Sequence, residues 1–166
     1  MNKLTIITAA FVLATGFTAS AGTNHETNKV SLESSFSRVV VEDGIELRLT
    51  ESNENAMEFS GSDADVKSVD WRIKNGTLYI KSKKGSLKTK VTIALNVNEL
   101  NSLHVLGNSD VISSGELQSK NLDVYIDGLG NKAGVVALRT TGAILLEQAD
   151  GTEIEVKESK GDVTIK

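Results

Sequence analysis

The side chains of this 166-residue sequence that could carry chemistry are two histidines, 22 carboxylates, one run of lysines, two tyrosines and a tryptophan. A hydrolytic triad needs a nucleophile, a base and an orienting acid within reach of one another. His25 lies in a polar N-terminal stretch, and His104 alternates with Leu103 and Val105, which places it on the polar face of a strand. Neither reads as a general base, so we expect no catalytic residue and no enzymatic activity. The pairs Asp63 and Asp65, and Glu51 and Glu54, could do acid–base work or hold calcium through several oxygens. The sequence contains neither a Gly-bearing twelve-residue EF-hand loop nor a tandem glycine-aspartate nonapeptide. Gly61 to Asp65 therefore reads as a solvated turn, and neither a metal site nor a cofactor is expected. Asp110 and Asp162 read as caps of their own corners, where an Asp carboxylate accepts from nearby backbone N–H groups.

Lys81, Lys83, Lys84, Lys88 and Lys90 form the single basic cluster. A mobile ammonium suits a diffuse anion, such as an acidic polysaccharide or the phosphate of a lipopolysaccharide. The competing reading is the outer face of a strand, where charge discourages sheet-to-sheet pairing. Tyr79 and Tyr125 fall out of phase with their apolar neighbours and are candidates for exposed rings that stack on sugars. Trp71 falls in phase and reads as core or cap. Tyr79, Tyr125 and the five lysines are thus the candidate ligand-binding set.

The elements that must position these groups are strands. Val39 and Val41, then Ile45, Leu47 and Leu49, alternate with polar residues, and Asp43-Gly44 between them is a tight-turn signal. Asn75-Gly76 inside Trp71 to Ile80 suits the two positive-φ positions of a type I′ turn and predicts a hairpin, with Trp71 and Ile73 on the face of Leu78 and Ile80. Val91, Ile93, Leu95 and Val97 make the longest clean alternation. From Leu103 onward, short strands end at Gly-, Asn- or Asp-containing corners at a step of about twenty residues: Leu103 to Leu122 is nineteen, as is Gly142 to Gly161. Gly128 to Gly134 carries extra loop residues that disturb this register. No apolar i, i+3, i+4, i+7 pattern persists for three turns. The expected fold is all-β, a parallel β-helix of about three degenerate coils with a hairpin-containing N-terminal part; a hairpin sheet or closed barrel is the alternative.

Lys3, the apolar stretch Leu4 to Phe17 and the small residues Ala19-Ser20-Ala21 have the form of a secretory signal. The apolar run is shorter than the roughly 20 residues that span a bilayer. We therefore expect residues 1–21 to be removed, residues 22–30 to form a flexible leader, and residues 31–166 to form one domain. Removal takes one of the 18 basic residues and none of the 22 acidic ones, leaving a net charge of about −5. An acidic domain without a basic stripe argues against a nucleic-acid partner. With no Cys, stability rests on packing and backbone pairing, and thiolate chemistry is excluded.

The opening Phe36-Ser37-Arg38-Val39-Val40-Val41-Glu42-Asp43-Gly44-Ile45-Glu46-Leu47-Arg48-Leu49, followed by recurring Gly-x-x-Asp-Val corners, resembles the secreted auto-transporter adhesin family with the head GIN domain, common in Bacteroidetes. The resemblance spans roughly Val30 to Lys166. It implies a β-helical fold, export to the periplasm, outer surface or exterior, and no established biochemical activity. Gly107-Asn108-Ser109-Asp110-Val111 and Lys160-Gly161-Asp162-Val163 keep the Asp-Val half of the pattern, whereas Thr141-Gly142-Ala143-Ile144 has lost the Asp. That argues against a ligand site needing the same Asp in every coil. An outer-membrane barrel needs many strands of about 9 to 11 residues, so we expect the chain not to span a membrane or carry itself through one. The expected function is adhesion or binding of cell-surface or envelope polysaccharide. The alternatives are a self-assembling homo-oligomeric subunit and a polysaccharide-active enzyme, the latter disfavoured by the shortage of His and by a single Arg, Arg139, along the coils.

Overall fold

Residues 25–42, 44–83, 87–128, 135–149, 158–159 and 161–166 are described by a computed structural model of the chain. Alternation governs most of its strands. β2 (Arg38–Glu42) buries Val39 and Val41, β3 (Ile45–Glu51) buries Ile45, Leu47 and Leu49, and β7 (Val91–Val97) buries Val91, Ile93, Leu95 and Val97. Branched aliphatic side chains fit a pleated, half-buried surface, so these runs become strands rather than helices.

The other strands are β1 (His25–Ser31), β4 (Ala56–Ser62), β5 (Val69–Lys74), β6 (Thr77–Ser82), β8 (Ser102–Leu106), β9 (Asp110–Leu117), β10 (Asn121–Asp127), β11 (Val136–Thr140), β12 (Ala143–Gln148), β13 (Glu158–Ser159) and β14 (Val163–Ile165). One helical turn, α1 (Asp63–Val66), follows β4. The strands form two seven-stranded sheets, β1-β4-β7-β3-β9-β11-β13 and β14-β12-β10-β8-β2-β6-β5. From β8 onward the chain passes from one sheet to the other at each corner, and each later strand pairs in parallel with the strand two before it.

Both inner faces feed one hydrophobic cluster. Its residues are stacked in rows across the strands. In the second sheet Leu78, Val39, Leu103, Val124 and Leu146 are successive partners, and in the first Phe59, Ile93, Leu47, Val111 and Val136 are. A buried aliphatic side chain thus meets like neighbours above and below, which is how thin two-sheet layers bury enough apolar surface.

The all-β expectation holds, and the sheets are mixed rather than purely parallel. β1 with β4, β4 with β7, and β5 with β6 run antiparallel. The β5–β6 pair is the expected hairpin: Asn75 and Gly76 have φ of 52° and 71°, and Trp71 faces Ile80 while Ile73 faces Leu78. Trp71 is half-buried against the core at the sheet's end, as a cap requires. Two expectations are corrected. The flexible leader over residues 22–30 gives way to β1 over its last six residues, where His25–Ser31 pairs along its whole length with β4. Leu103 pairs with Val124 rather than with Leu122, because the first corner is longer than a uniform step allows; Ile144 with Val163 does keep the step of nineteen. Residues 1–21, expected to be a signal, and most of the expanded Gly128 to Gly134 loop lie outside the described residues.

Candidate functional site

The outer face of the second sheet gathers the aromatic candidates. Strand pairing places Arg72, Tyr79, Val40, His104, Tyr125 and Glu147 in one continuous row, each the register partner of the next. Tyr79 and Tyr125 are half-buried and three strands apart, about 14 Å at the usual strand spacing. Each has a cationic or heteroaromatic neighbour. The Arg72 guanidinium lies 5.3 Å from the Tyr79 ring centre, within cation–π range. The His104 ring is 5.4 Å from that of Tyr125 with a 53° tilt. His104 is exposed on this face, as its alternation requires.

Around Tyr125 a depression of about 210 Å³ is walled by Ser102, His104, Asp123, Leu145 and Glu147. The face is electrically asymmetric. Exposed Arg38, Arg72, Lys74 and Lys81 outnumber exposed Asp70 across β2, β5 and β6, whereas Asp123 and Glu147, the latter 4.0 Å from Lys166, occupy β10 and β12. One end therefore favours anions, and the other offers carboxylate acceptors to hydroxyl groups.

The lysine cluster does not stay together. Lys81 is exposed on β6, two residues beyond Tyr79 and on the same face, and Lys83 is exposed just past the strand's end. Lys88 and Lys90 instead precede β7 in the other sheet. Lys90 pairs with Asp110 and lies 3.8 Å from Glu46, so its charge is already neutralised. Lys84 lies outside the described residues. Arg72, His104, Asp123 and Glu147 were missed as companions of the tyrosines. The Asn75-Gly76 turn signals the first, since a two-residue loop centred there sets residue 72 opposite 79. The others become neighbours only through rung-to-rung register.

Two acidic expectations are also corrected. Asp110 does not cap its own corner; its Oδ1 accepts from the Val135 N–H at 2.9 Å and so ties one rung to the next. Asp65 is not solvated. Ser62 caps α1, and the buried Asp65 carboxylate accepts from the Ser62 hydroxyl at 2.8 Å, from the N–H groups of Lys88 and Thr89 at 3.1 Å each, and from the Thr89 hydroxyl. Asp63 is exposed and pairs with Lys67 at 3.1 Å. Among the described residues no group of three or more His, Cys, Asp or Glu side chains converges as metal ligands would.

The Thr89 hydroxyl, then the Ser62 hydroxyl, hold the Asp65 carboxyl at about 2, below its ordinary 3.8; the Lys88 and Thr89 amides add to this and burial opposes it. A depressed carboxyl stabilises the fold fully above its unfolded value and loses that contribution as pH falls through the folded one. The urea midpoint is therefore expected to drop between about pH 4 and pH 2 more steeply in the native chain than in Asp65→Asn. Parallel pH profiles for the two chains would remove Asp65 as the acid-sensitive fastening of the 87–90 segment.

These features define an all-β scaffold that carries aromatic and charged side chains on an open sheet face. Residues 35–164 match the family described as "Putative auto-transporter adhesin, head GIN domain", and the chain belongs to that family. No curated protein matches the sequence significantly. Among similar solved structures is a protein described as a putative adhesin from Parabacteroides merdae, 13% identical, with 86% of this chain and 96% of that one covered at a TM-score of 0.53. A protein from Parabacteroides distasonis described as a putative lipid binding protein is 17% identical, covers 86% of this chain and 62% of its own, and has a TM-score of 0.63. A further putative adhesin from that organism is 16% identical, with 85% and 73% covered and a TM-score of 0.52. At such identities the likeness shows the fold. No helix among the described residues is long and apolar enough to cross a membrane.

Proposed function

We propose that this chain is an exported, non-catalytic adhesion domain that binds anionic envelope or cell-surface polysaccharide on the outer face of its β14-to-β5 sheet. The alternation of the chain between sheets from β8 onward supports a β-helical reading of the C-terminal coils, with the hairpin β5–β6 closing one end. The observation that carries the function is the single row holding Arg72, Tyr79, His104 and Tyr125. Aromatic faces stack on sugar rings, and the basic β5–β6 end supplies counter-charge to uronate or phosphate groups.

Binding of polygalacturonate and of lipopolysaccharide by the purified chain tests this directly. Tyr125→Ala and Tyr79→Ala are each expected to weaken the association about tenfold, equivalent to ~1.4 kcal/mol, with unchanged circular dichroism. Affinity should also fall as salt screens the basic end. Binding indifferent to both tyrosines, or no binding of either ligand, would sink the assignment. Self-assembly into a homo-oligomer is the second reading. It is favoured by β14, an edge strand whose Val163 and Ile165 are 41% and 65% exposed. A mass that rises with concentration in sedimentation, without ligand, would favour it over polysaccharide binding.

A further inference from the structure

One edge of the stack is lined by amides. There the chain crosses between sheets at residues 98–101, 118–120 and 141–142, and the segments 35–37 and 51–55 lie alongside. Backbone hydrogen bonds hold these crossings one upon another: Ser52 N–H donates to Val97 O at 2.9 Å, Asn101 N–H to Ser37 O at 2.8 Å, and Thr141 N–H to Leu117 O at 3.0 Å. The Gln118 N–H donates to a Glu51 carboxylate oxygen at 2.8 Å. The edge is therefore a rigid ridge whose side chains recur at the strand spacing of about 4.8 Å.

Two depressions run along it, of about 200 and 230 Å³, and both are walled by Glu99. Asn53 and Asn98 face the larger, and Asn101, Gln118 and Lys120 face the smaller. The Asn98 amide donates to the Asn53 carbonyl oxygen at 2.9 Å, which leaves the Asn53 amide hydrogens and the Asn98 carbonyl for another partner. Among the described residues, no protein group is engaged by the side chains of Glu99, Asn101, Gln118 or Lys120. Glu99 also adopts φ of 51°. That left-handed conformation is favourable for Gly and tolerable for Asn, as at Asn75 in its turn, whereas Glu gains nothing locally from it. A carboxylate kept at a strained position between two polar depressions is what a binding function would require there.

We propose that this edge is a second binding groove, for a neutral polyhydroxylated chain, an uncharged polysaccharide strand lying along the stack. Amide groups present a donor and an acceptor in one plane and match pairs of neighbouring hydroxyls. Glu54 is paired with Lys29 at 2.6 Å and Glu99 balances Lys120, so the groove offers a polyanion none of the counter-charge that the tyrosine face does. Repetition along the edge offers successive sugar units similar partners, which a single closed pocket does not.

Titration with neutral hexasaccharides of glucose and of mannose, followed by the side-chain amide resonances, tests the groove; hexagalacturonate serves as the anionic comparison. The neutral sugars are expected to shift the amides of Asn53, Asn98, Asn101 and Gln118. Glu99→Gly should weaken that binding at least tenfold while raising the urea midpoint, because Gly relieves the positive φ. This opposed movement separates a ligand role from a structural one. Asn101→Ala should weaken it as well, and Tyr125→Ala should leave it unchanged, so failure of the tyrosine face and failure of this groove are told apart. The groove is overturned if neither neutral sugar binds at millimolar concentration, if Glu99→Gly binds like the native chain, or if the loss follows Tyr125 instead.

Discussion

Gly142→Ala is expected to destabilise the protein by about 3 kcal/mol, the upper end of overpacking penalties. A Cβ at Gly142 would overlap the carbonyl oxygens of Ser119 and Lys120, and these are backbone atoms that cannot swing aside. They are also in use: Ala143 N–H donates to Lys120 O at 3.1 Å, and the Thr141 hydroxyl donates to Ser119 O at 3.4 Å. Relieving the overlap therefore lifts a whole crossing away from the one beneath it. Two other glycines separate steric closeness from backbone conformation. Gly76 has φ of 71° with nothing near its absent side chain, so Gly76→Ala should cost only about 1 kcal/mol. Gly115 has neither constraint, and Gly115→Ala should stay within about 0.5 kcal/mol. Urea unfolding of the three variants measures the series. A Gly142→Ala as mild as Gly115→Ala would mean that the crossings are not in contact.

Leu103→Ala is the second large effect, expected at about 3 to 4 kcal/mol. Leu103 is fully buried between Val39 and Val124, its register partners on either side. The hydrogen-bonded ladders of β8 with β2 and β10 fix the strand spacing, so the cavity left by the lost methyls cannot close by a shift of the backbone. Ile165, 65% exposed on the edge strand, provides the contrast, and Ile165→Ala should change stability by less than about 0.5 kcal/mol. Against a usual total of about 5 to 15 kcal/mol, the Leu103 variant should show a greatly lowered urea midpoint with an unchanged m-value. A loss below about 1.5 kcal/mol would show that the core repacks around the gap.

What the sequence made readable was local. The alternation at Val91 to Val97, the Asn75-Gly76 hairpin and the outward-facing His104 are each decided by a few adjacent residues, and the structure places all of them so. What it hid was order in the third dimension. Lys81 and Lys90 look like one cluster because nine positions of chain do not reveal that β6 and β7 belong to different sheets. Asp65 looked like a turn residue because its partners Lys88 and Thr89 lie far along the chain. The corner residues Asn53, Asn98 and Asn101 carry no sequence signal that links them to one another. Only the stacking of crossings aligns them into a ridge, and only register brings Tyr125 beside His104.

The position of β2 and β3 within the sheets has a temporal consequence. Val39 pairs with Leu78 on one side and Leu103 on the other, and Leu47 pairs with Ile93 and Val111. Two strands synthesised early are thus flanked on both sides in the finished stack, and they wait for partners made much later. Such distant pairing slows the search for the native state and leaves aliphatic edges uncovered while the chain is incomplete. From β10 onward each strand instead docks on one already in place. Assembly then has two regimes: a slow closure around the early strands once residue 111 exists, followed by rapid, nearly sequential growth towards the C-terminus.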